Sequence, residues 1–146
     1  MNPSPFQIRR AVESDSPALA GIFTDARARA FHWMDPAAFD PSDFAIQTEG
    51  EVVYLAEEDR GRALGFISVW RLERFIHHLY VDPDHQRQGI GAQLLRSLDS
   101  WLPRPYRLKC LVANAPARRF YQKHGWCEKH FGTDALGDYV AMEFEG

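Results

Sequence analysis

The stretch LYVDPDHQRQGIGAQLLRSLDSW, from Leu79 to Trp101, constrains this chain more than any other. It joins an apolar strand to an amphipathic helix through a short polar loop holding two glycines. Phe75-Ile76 and Leu79-Tyr80-Val81 are aromatic and branched, which suits a buried strand. Asp82-Pro83-Asp84 stops that strand, because proline has no N–H for a sheet ladder. Ile90, Leu94, Leu98 and Trp101 then recur at helical spacing, with Leu95 and Leu102 beside them, until Pro103 and Pro105 end the helix. At the junction, Gln86-Arg87-Gln88-Gly89-Ile90-Gly91, a helix start offers unpaired N–H groups and the positive end of its dipole. Gly89 and Gly91 let another molecule approach that backbone, and Arg87 adds a cation, so a phosphate or diphosphate fits. A bare strand-to-helix turn without a ligand is the simpler explanation of two glycines alone.

Other phosphate motifs fit poorly. A dinucleotide fingerprint needs a third glycine where Leu94 stands, and a P-loop needs a lysine that does not follow. The junction instead resembles the acyl-CoA diphosphate loop of the GNAT superfamily of N-acetyltransferases, Q/R-x-x-G-x-G/A, through Gln86, Gly89 and Gly91. The preceding His78-Leu79-Tyr80-Val81-Asp82-Pro83 is similar to that family's fourth strand. Downstream, Asn114 to Trp126 (NAPARRFYQKHGW) resembles the family's N-x-x-A-x-x-F-Y-x-x-x-G-F segment, with Trp126 in place of phenylalanine. As local structure, that segment reads as a helix capped by Asn114, with Pro116 in its first turn and Gly125 ending it. The two motifs lie in order, about a helix and a strand apart, and together they cover residues 75–126.

The remainder of the chain agrees with this resemblance in pattern. Phe6–Val12 has strand composition. A helix opens at Asp15-Ser16-Pro17, with Leu19, Ile22, Phe23 and Ala26 on one face, and runs towards Phe31. A further helical turn is expected near Asp40–Phe44. Val52–Ala56, Leu64–Trp70 and Phe75–Val81 form an antiparallel meander, with Asp59-Arg60-Gly61-Arg62 as the first turn. Tyr106–Val112 runs parallel to the fourth strand because a helix connects them. Trp126–Phe131 and Tyr139–Phe144 are two last strands joined by Gly132–Asp138. The expected architecture is α/β, one GNAT domain over residues 1–146. A mixed central sheet of six to seven strands is flanked by about four helices, with strands four and five parallel and splayed.

The 146 residues suffice for one domain with a core, and 45% apolar with 25% charged residues is an ordinary soluble composition. A net charge of −3 and no basic stripe argue against nucleic acid as a partner. No apolar run approaches the roughly 20 residues of a membrane span. Met1-Asn2-Pro3-Ser4-Pro5 lacks a signal-peptide layout, and Cys110 and Cys127 read as reduced core thiols, so a cytoplasmic location is expected.

The resemblance implies acetyl-CoA as cosubstrate. Pantetheine would lie between strands four and five, bonded by the backbone of Leu79, Tyr80 and Val81, with the N–H of Leu79 or Val81 polarising the thioester carbonyl. The N–H groups of Arg87, Gln88, Gly89, Ile90, Gly91 and Ala92, following Gln86, would take the diphosphate. Asn114 would contact the pantetheine arm. Arg118, Arg119 or Lys123 is either a nucleotide-phosphate ligand or a solvated cationic face. Tyr121 matches the family's tyrosine that protonates the departing thiolate; a phenol and a thiol titrate within about two units of each other.

Removing the amine's proton needs a base. Strand alternation places Glu73, Phe75, His77, Leu79 and Val81 on one face, with His78 and Tyr80 opposite. Imidazole titrates near neutral pH, and the resemblance implies a His or Glu on the fourth strand with this parity, working through water, so His77 ranks first, Glu73 second and His78 third. A bulge would invert the parity and favour His78. Adjacent histidines on a regular strand cannot share one metal, and no third ligand is evident. Phe31, His32 and Trp33 either cover the sheet or line the acceptor site, which in the family lies against the first helical region.

The expected function is N-acetyl transfer to a primary amine, on a small molecule or on a protein or peptide, by direct attack in a ternary complex. A non-catalytic CoA-binding or regulatory domain of the same fold is the alternative. The family's members are often dimers, and no residue pattern here decides whether a homodimer forms.

Overall fold

The computed structural model describes residues 6–146; the N-terminal Met1–Pro5, read above for a signal sequence, lie outside the described residues. Seven strands form one sheet: β1 Phe6–Arg10, β2 Val52–Glu58, β3 Ala63–Trp70, β4 Phe75–Val81, β5 Tyr106–Leu111, β6 Cys127–Asp134 and β7 Gly137–Phe144. Their spatial order is β1-β2-β3-β4-β5-β7-β6. The meander β1 to β4 is antiparallel, β4 and β5 are parallel, and β7 inserts between β5 and β6. Four helices accompany the sheet: α1 Ser16–Ala30, α2 Asp43–Gln47, α3 Ile90–Ser97 and α4 Ala115–Lys123.

Each face carries its own core. On one, Leu19, Ile22 and Phe23 of α1 and Phe44 of α2 close over Leu55 and Phe66. On the other, Ile90, Leu94 and Leu95 of α3 meet Ile67, Val69, Ile76 and Leu108, with Ala117, Phe120 and Tyr121 of α4 packed alongside. The apolar stripe read from Ile90 onwards is therefore the contact surface of α3, and a short 3-10 turn, Leu98–Ser100, extends it.

Several local expectations are corrected. Asp15 precedes α1 but its carboxylate does not cap that helix; it accepts from the Val12 N–H at 2.7 Å and pairs with Arg9 at 2.8 Å. Arg9 bridges Asp15 and Glu57, so the charged residues of β1 tie the sheet edge to the start of α1. The last hairpin is tighter than expected: Asp134 already faces Gly137 in register. Cys110 is buried as expected, whereas Cys127 is exposed at the start of edge strand β6. Among the described residues no helix is long and apolar enough to cross a membrane.

Candidate functional site

Strands β4 and β5 pair at only two positions, Phe75 with Arg107 and Ile76 with Leu108. Beyond them the strands part. Which groups of β4 are left unpaired follows from its other neighbour. The Asp82 N–H donates to the Leu64 carbonyl at 2.7 Å, and Gly65, Phe66 and Ile67 face Val81, Tyr80 and Leu79 in register. Hydrogen-bonded pairs alternate along an antiparallel ladder. Tyr80 therefore exchanges bonds with Phe66, while the N–H and C=O of Leu79 and Val81 point towards the opening. Of the three strand residues expected to bond a cofactor through their backbone, Leu79 and Val81 have free main-chain groups and Tyr80 does not.

The mouth of this opening is the loop after β4. A 3-10 turn, Pro83–His85, leads into exposed Gln86, Arg87, Gln88 and Gly89. Gly89 caps α3 at φ 80°, and a Cβ there would meet nothing within 4 Å, so the space before the helix is open. No side chain caps α3. Its first N–H groups, at Ile90, Gly91 and Ala92, thus have no side-chain partner. Arg87 also takes a positive φ, 68°. Gly91 has a different reason to be glycine: a Cβ would lie 3.3 Å from the Phe120 ring, so its small size seats α4 against α3.

Helix α4 carries Tyr121 onto the α3 face of the sheet, where it packs against the core. Its ring packs edge-on against Trp126 and Phe120, at 5.6 and 5.3 Å. Burial raises its pKa, with Cys110 of β5 and Tyr80 of β4 adding to the effect. Among the described residues its hydroxyl has no hydrogen-bond partner, so it is free of the backbone bond a purely structural tyrosine makes. Asn114 caps α4, accepting from the Ala117 N–H at 3.3 Å, and its amide N–H₂ remains available. Arg118 is held by both Glu128 oxygens, at 3.0 and 3.2 Å, which explains it without a phosphate; Arg119 and Lys123 are exposed.

On the α1 side the expected face assignments fail. Ser68 of β3 faces His78, but Val69 faces Ile76, so His77 is an extra, bulged residue. The bulge turns adjacent histidines onto one side: their rings stack at 3.8 Å, 26° apart. His77 therefore does not share the face of Leu79 and Val81, and the two histidines do not oppose each other. Glu73 is not on the strand at all; it ends a 3-10 turn, Arg71–Glu73, followed by Arg74 in the left-handed region. The bulge does not turn His78 towards a base's position: His78 stays on the face of Tyr80, buried edge-on to Phe23 at 4.7 Å. Burial, then the charges of His77 and Arg27, push its pKa down to about 2, so it stays neutral. His77 remains part-exposed and is bonded through Nδ1 to Glu51 Oε2 at 2.6 Å. No local pattern marks Glu51, which lies 26 residues away, just before β2.

The aromatic cluster divides. Phe31 packs on buried Phe39, at 6.1 Å, and on Trp33, at 5.6 Å. Exposed His32 meets Trp33 at 5.3 Å. Trp33 is 43% exposed and, with Leu136, Val112 and Asp138, borders a cavity of about 300 Å³ at the end of β5. Among the described residues no three His, Cys, Asp or Glu side chains form a metal-binding group.

A mixed sheet whose central parallel pair is split, with an uncapped helix start at the mouth of the split, defines an α/β protein with a main-chain-lined gap between two strands. A model of the acetyltransferase (GNAT) family matches residues 16–126, and the chain belongs to that family. It is 28% identical over 125 residues to the peptidyl-lysine N-acetyltransferase YiaC of Escherichia coli (strain K12), spanning 82% of each chain. The fold matches the crystal structure of a GCN5-related N-acetyltransferase from Rhodopseudomonas palustris, with TM-score 0.82, 21% identity and coverage of 100% of this chain and 99% of the other. It also matches the PaiA N-acetyltransferase of Thermoplasma acidophilum, solved with coenzyme A, with TM-score 0.79, 17% identity and coverage of 97% and 99%.

Proposed function

We propose that the protein transfers the acetyl group of acetyl-CoA to a primary amine by direct attack in a ternary complex. The observation that carries this reading is the split between β4 and β5, which exposes the main chain of Leu79 and Val81 between the start of α3 and the Tyr121 phenol. The cofactor fits these residues: they are main-chain donors and acceptors for an amide-bearing arm, and uncapped N–H groups for a diphosphate.

Acetyl-CoA supplies the acyl group as a thioester. The N–H of Leu79 or Val81 donates to the carbonyl oxygen and stabilises the negative charge it gains as the amine nitrogen attacks. His77, reached through water, takes the proton the nitrogen must lose. Tyr121 donates its proton to the sulfur as the C–S bond breaks. Its raised pKa keeps the phenol protonated at every working pH. Trp33, with His32 and Phe31 behind it, forms the wall against which the acceptor rests.

The acceptor is an amine of a small molecule or of a protein or peptide; the likeness to a peptidyl-lysine acetyltransferase supports the second. The test is release of free thiol from acetyl-CoA over a panel of amines and lysine peptides. Turnover that Tyr121→Phe abolishes while CoA still binds supports the reading. CoA binding without turnover over the whole panel would favour a binding domain instead.

A further inference from the structure

We infer that Glu51 is a positioning residue for His77, fixing which ring nitrogen is free to take the acceptor's proton. This rests on the reading of His77 as the base and adds a residue outside both sequence motifs.

Glu51 stands at the head of β2, where its N–H closes a turn onto the Thr48 carbonyl at 2.9 Å. Its side chain is only 6% exposed. Oε2 lies 2.6 Å from His77 Nδ1, while Oε1 is buried and has no partner among the described residues. The carboxylate's hydrogen bonding is thus directed at one imidazole nitrogen. As a device for stability this is poor: a buried carboxylate with a single part-exposed partner repays little of its desolvation. As a device for proton transfer it is apt. A carboxylate accepts only, so Nδ1 must carry the hydrogen and Nε2 is left with its lone pair. The same carboxylate stabilises the imidazolium formed when Nε2 takes a proton, the logic of a carboxylate behind a catalytic histidine.

The neighbours do not compete for this task. His78, stacked on His77 at 3.8 Å, is neutral and cannot substitute for it. Arg27 of α1, the next charge, is committed to Asp43 at 3.0 Å and lies over the Phe23 ring at 3.8 Å. The bulge at His77 is what makes the pair: without it, the ring would turn to the α3 face, away from Glu51.

Two measurements test the assignment. Nitrogen-15 NMR of the imidazoles reads the tautomer without needing turnover. The expected result is His77 protonated on Nδ1 in the wild type and mixed or protonated on Nε2 in Glu51→Gln, whose amide can donate to Nδ1. A wild-type His77 carrying its proton on Nε2 would overturn the proposal. The second is a cycle of acetyl-transfer rates with His77→Ala, Glu51→Gln and the double variant. Glu51→Gln should lower kcat roughly a hundred-fold, the low end of a general base's contribution, with the acceptor KM unchanged and partial rescue by Glu51→Asp. In the His77→Ala background it should cost nothing further, because the group it positions is gone. Equal losses in both backgrounds would make Glu51 merely structural. Full activity of His77→Ala would instead remove the base assignment itself, a distinct outcome from a wrong tautomer.

Discussion

The two sides of the β4–β5 opening are built differently. On the α3 side the parts are main chain: the unpaired groups of Leu79 and Val81, the left-handed Gly89 and the uncapped start of α3. The side chains that the proposed function gives to the acceptor come instead from distant positions: His77 from a bulge, Glu51 from the head of β2, Trp33 from beyond the end of α1. A backbone site tolerates any sequence that keeps the path of the chain, and so one donor can serve a whole fold. A side-chain site changes with each substitution, and so, on the proposed function, it is where an acceptor would be chosen.

Four perturbations sharpen or break this contrast, and the largest effect is expected where the two sides meet. Tyr121→Phe removes one hydroxyl without touching the backbone cradle; kcat should fall roughly a hundred-fold or more, with CoA affinity unchanged in calorimetry. An equal loss of CoA affinity would mean that the phenol binds rather than donates.

The next effect is on stability. His78 has a folded pKa of about 2 against 6.5 for the free side chain. Its contribution is therefore complete above 6.5 and is lost as pH falls below it, because the unfolded chain takes up the proton first. Between pH 6.5 and 5 that is about 2 kcal/mol at roughly 1.4 kcal/mol per pH unit. His124, also lowered by burial, acts in the same direction, so the comparison is with His78→Gln, whose denaturation curves should lose most of this slope. Asp15, held low mainly by its hydrogen bonds from Arg9, and Asp99, held low mainly by the Tyr106 hydroxyl, add losses of the same sign only near and below their ordinary value of 3.8. An unchanged slope in His78→Gln would show that the ring is hydrated.

A smaller effect is expected on the backbone side. Gly89→Trp puts a side chain at φ 80° into open space before α3. Left-handed strain of about 1–2 kcal/mol and the bulk of the ring should weaken CoA roughly tenfold, while the melting curve stays cooperative. Unaltered affinity with an intact fold would remove the anion cradle from that spot. Smallest is Trp33→Ala: the ring is part-exposed, so the acceptor KM should rise by a factor of roughly three to ten, with CoA affinity untouched. A change in CoA affinity instead would mean that the two sides are not separate.

The same contrast explains what the sequence could disclose. Gly89, the strand Phe75–Val81 and the cap at Asn114 are local devices, encoded by neighbours in the chain, and their spacing carried both the fold and the donor side. The acceptor side depends on facts of no local pattern. The extra residue at His77 arises where β3 and β4 slip in register, which alternation along one strand cannot anticipate. Glu51 looked like any charged residue before a strand, and only tertiary packing puts it under an imidazole. Glu73 failed for the opposite reason: the strand begins two residues later than its candidacy required. Gly91 was legible as important, but its reason, the Phe120 ring on another helix, was not.

The most direct test is a crystal structure with acetyl-CoA. The account predicts the pantetheine arm between β4 and β5, bonded to the main chain of Leu79 and Val81, with the diphosphate on the N–H groups from Arg87 to Ala92 and the thioester beside Tyr121. Coenzyme bound elsewhere, or strands β4 and β5 zipped together past Ile76 with the ligand excluded, would contradict it.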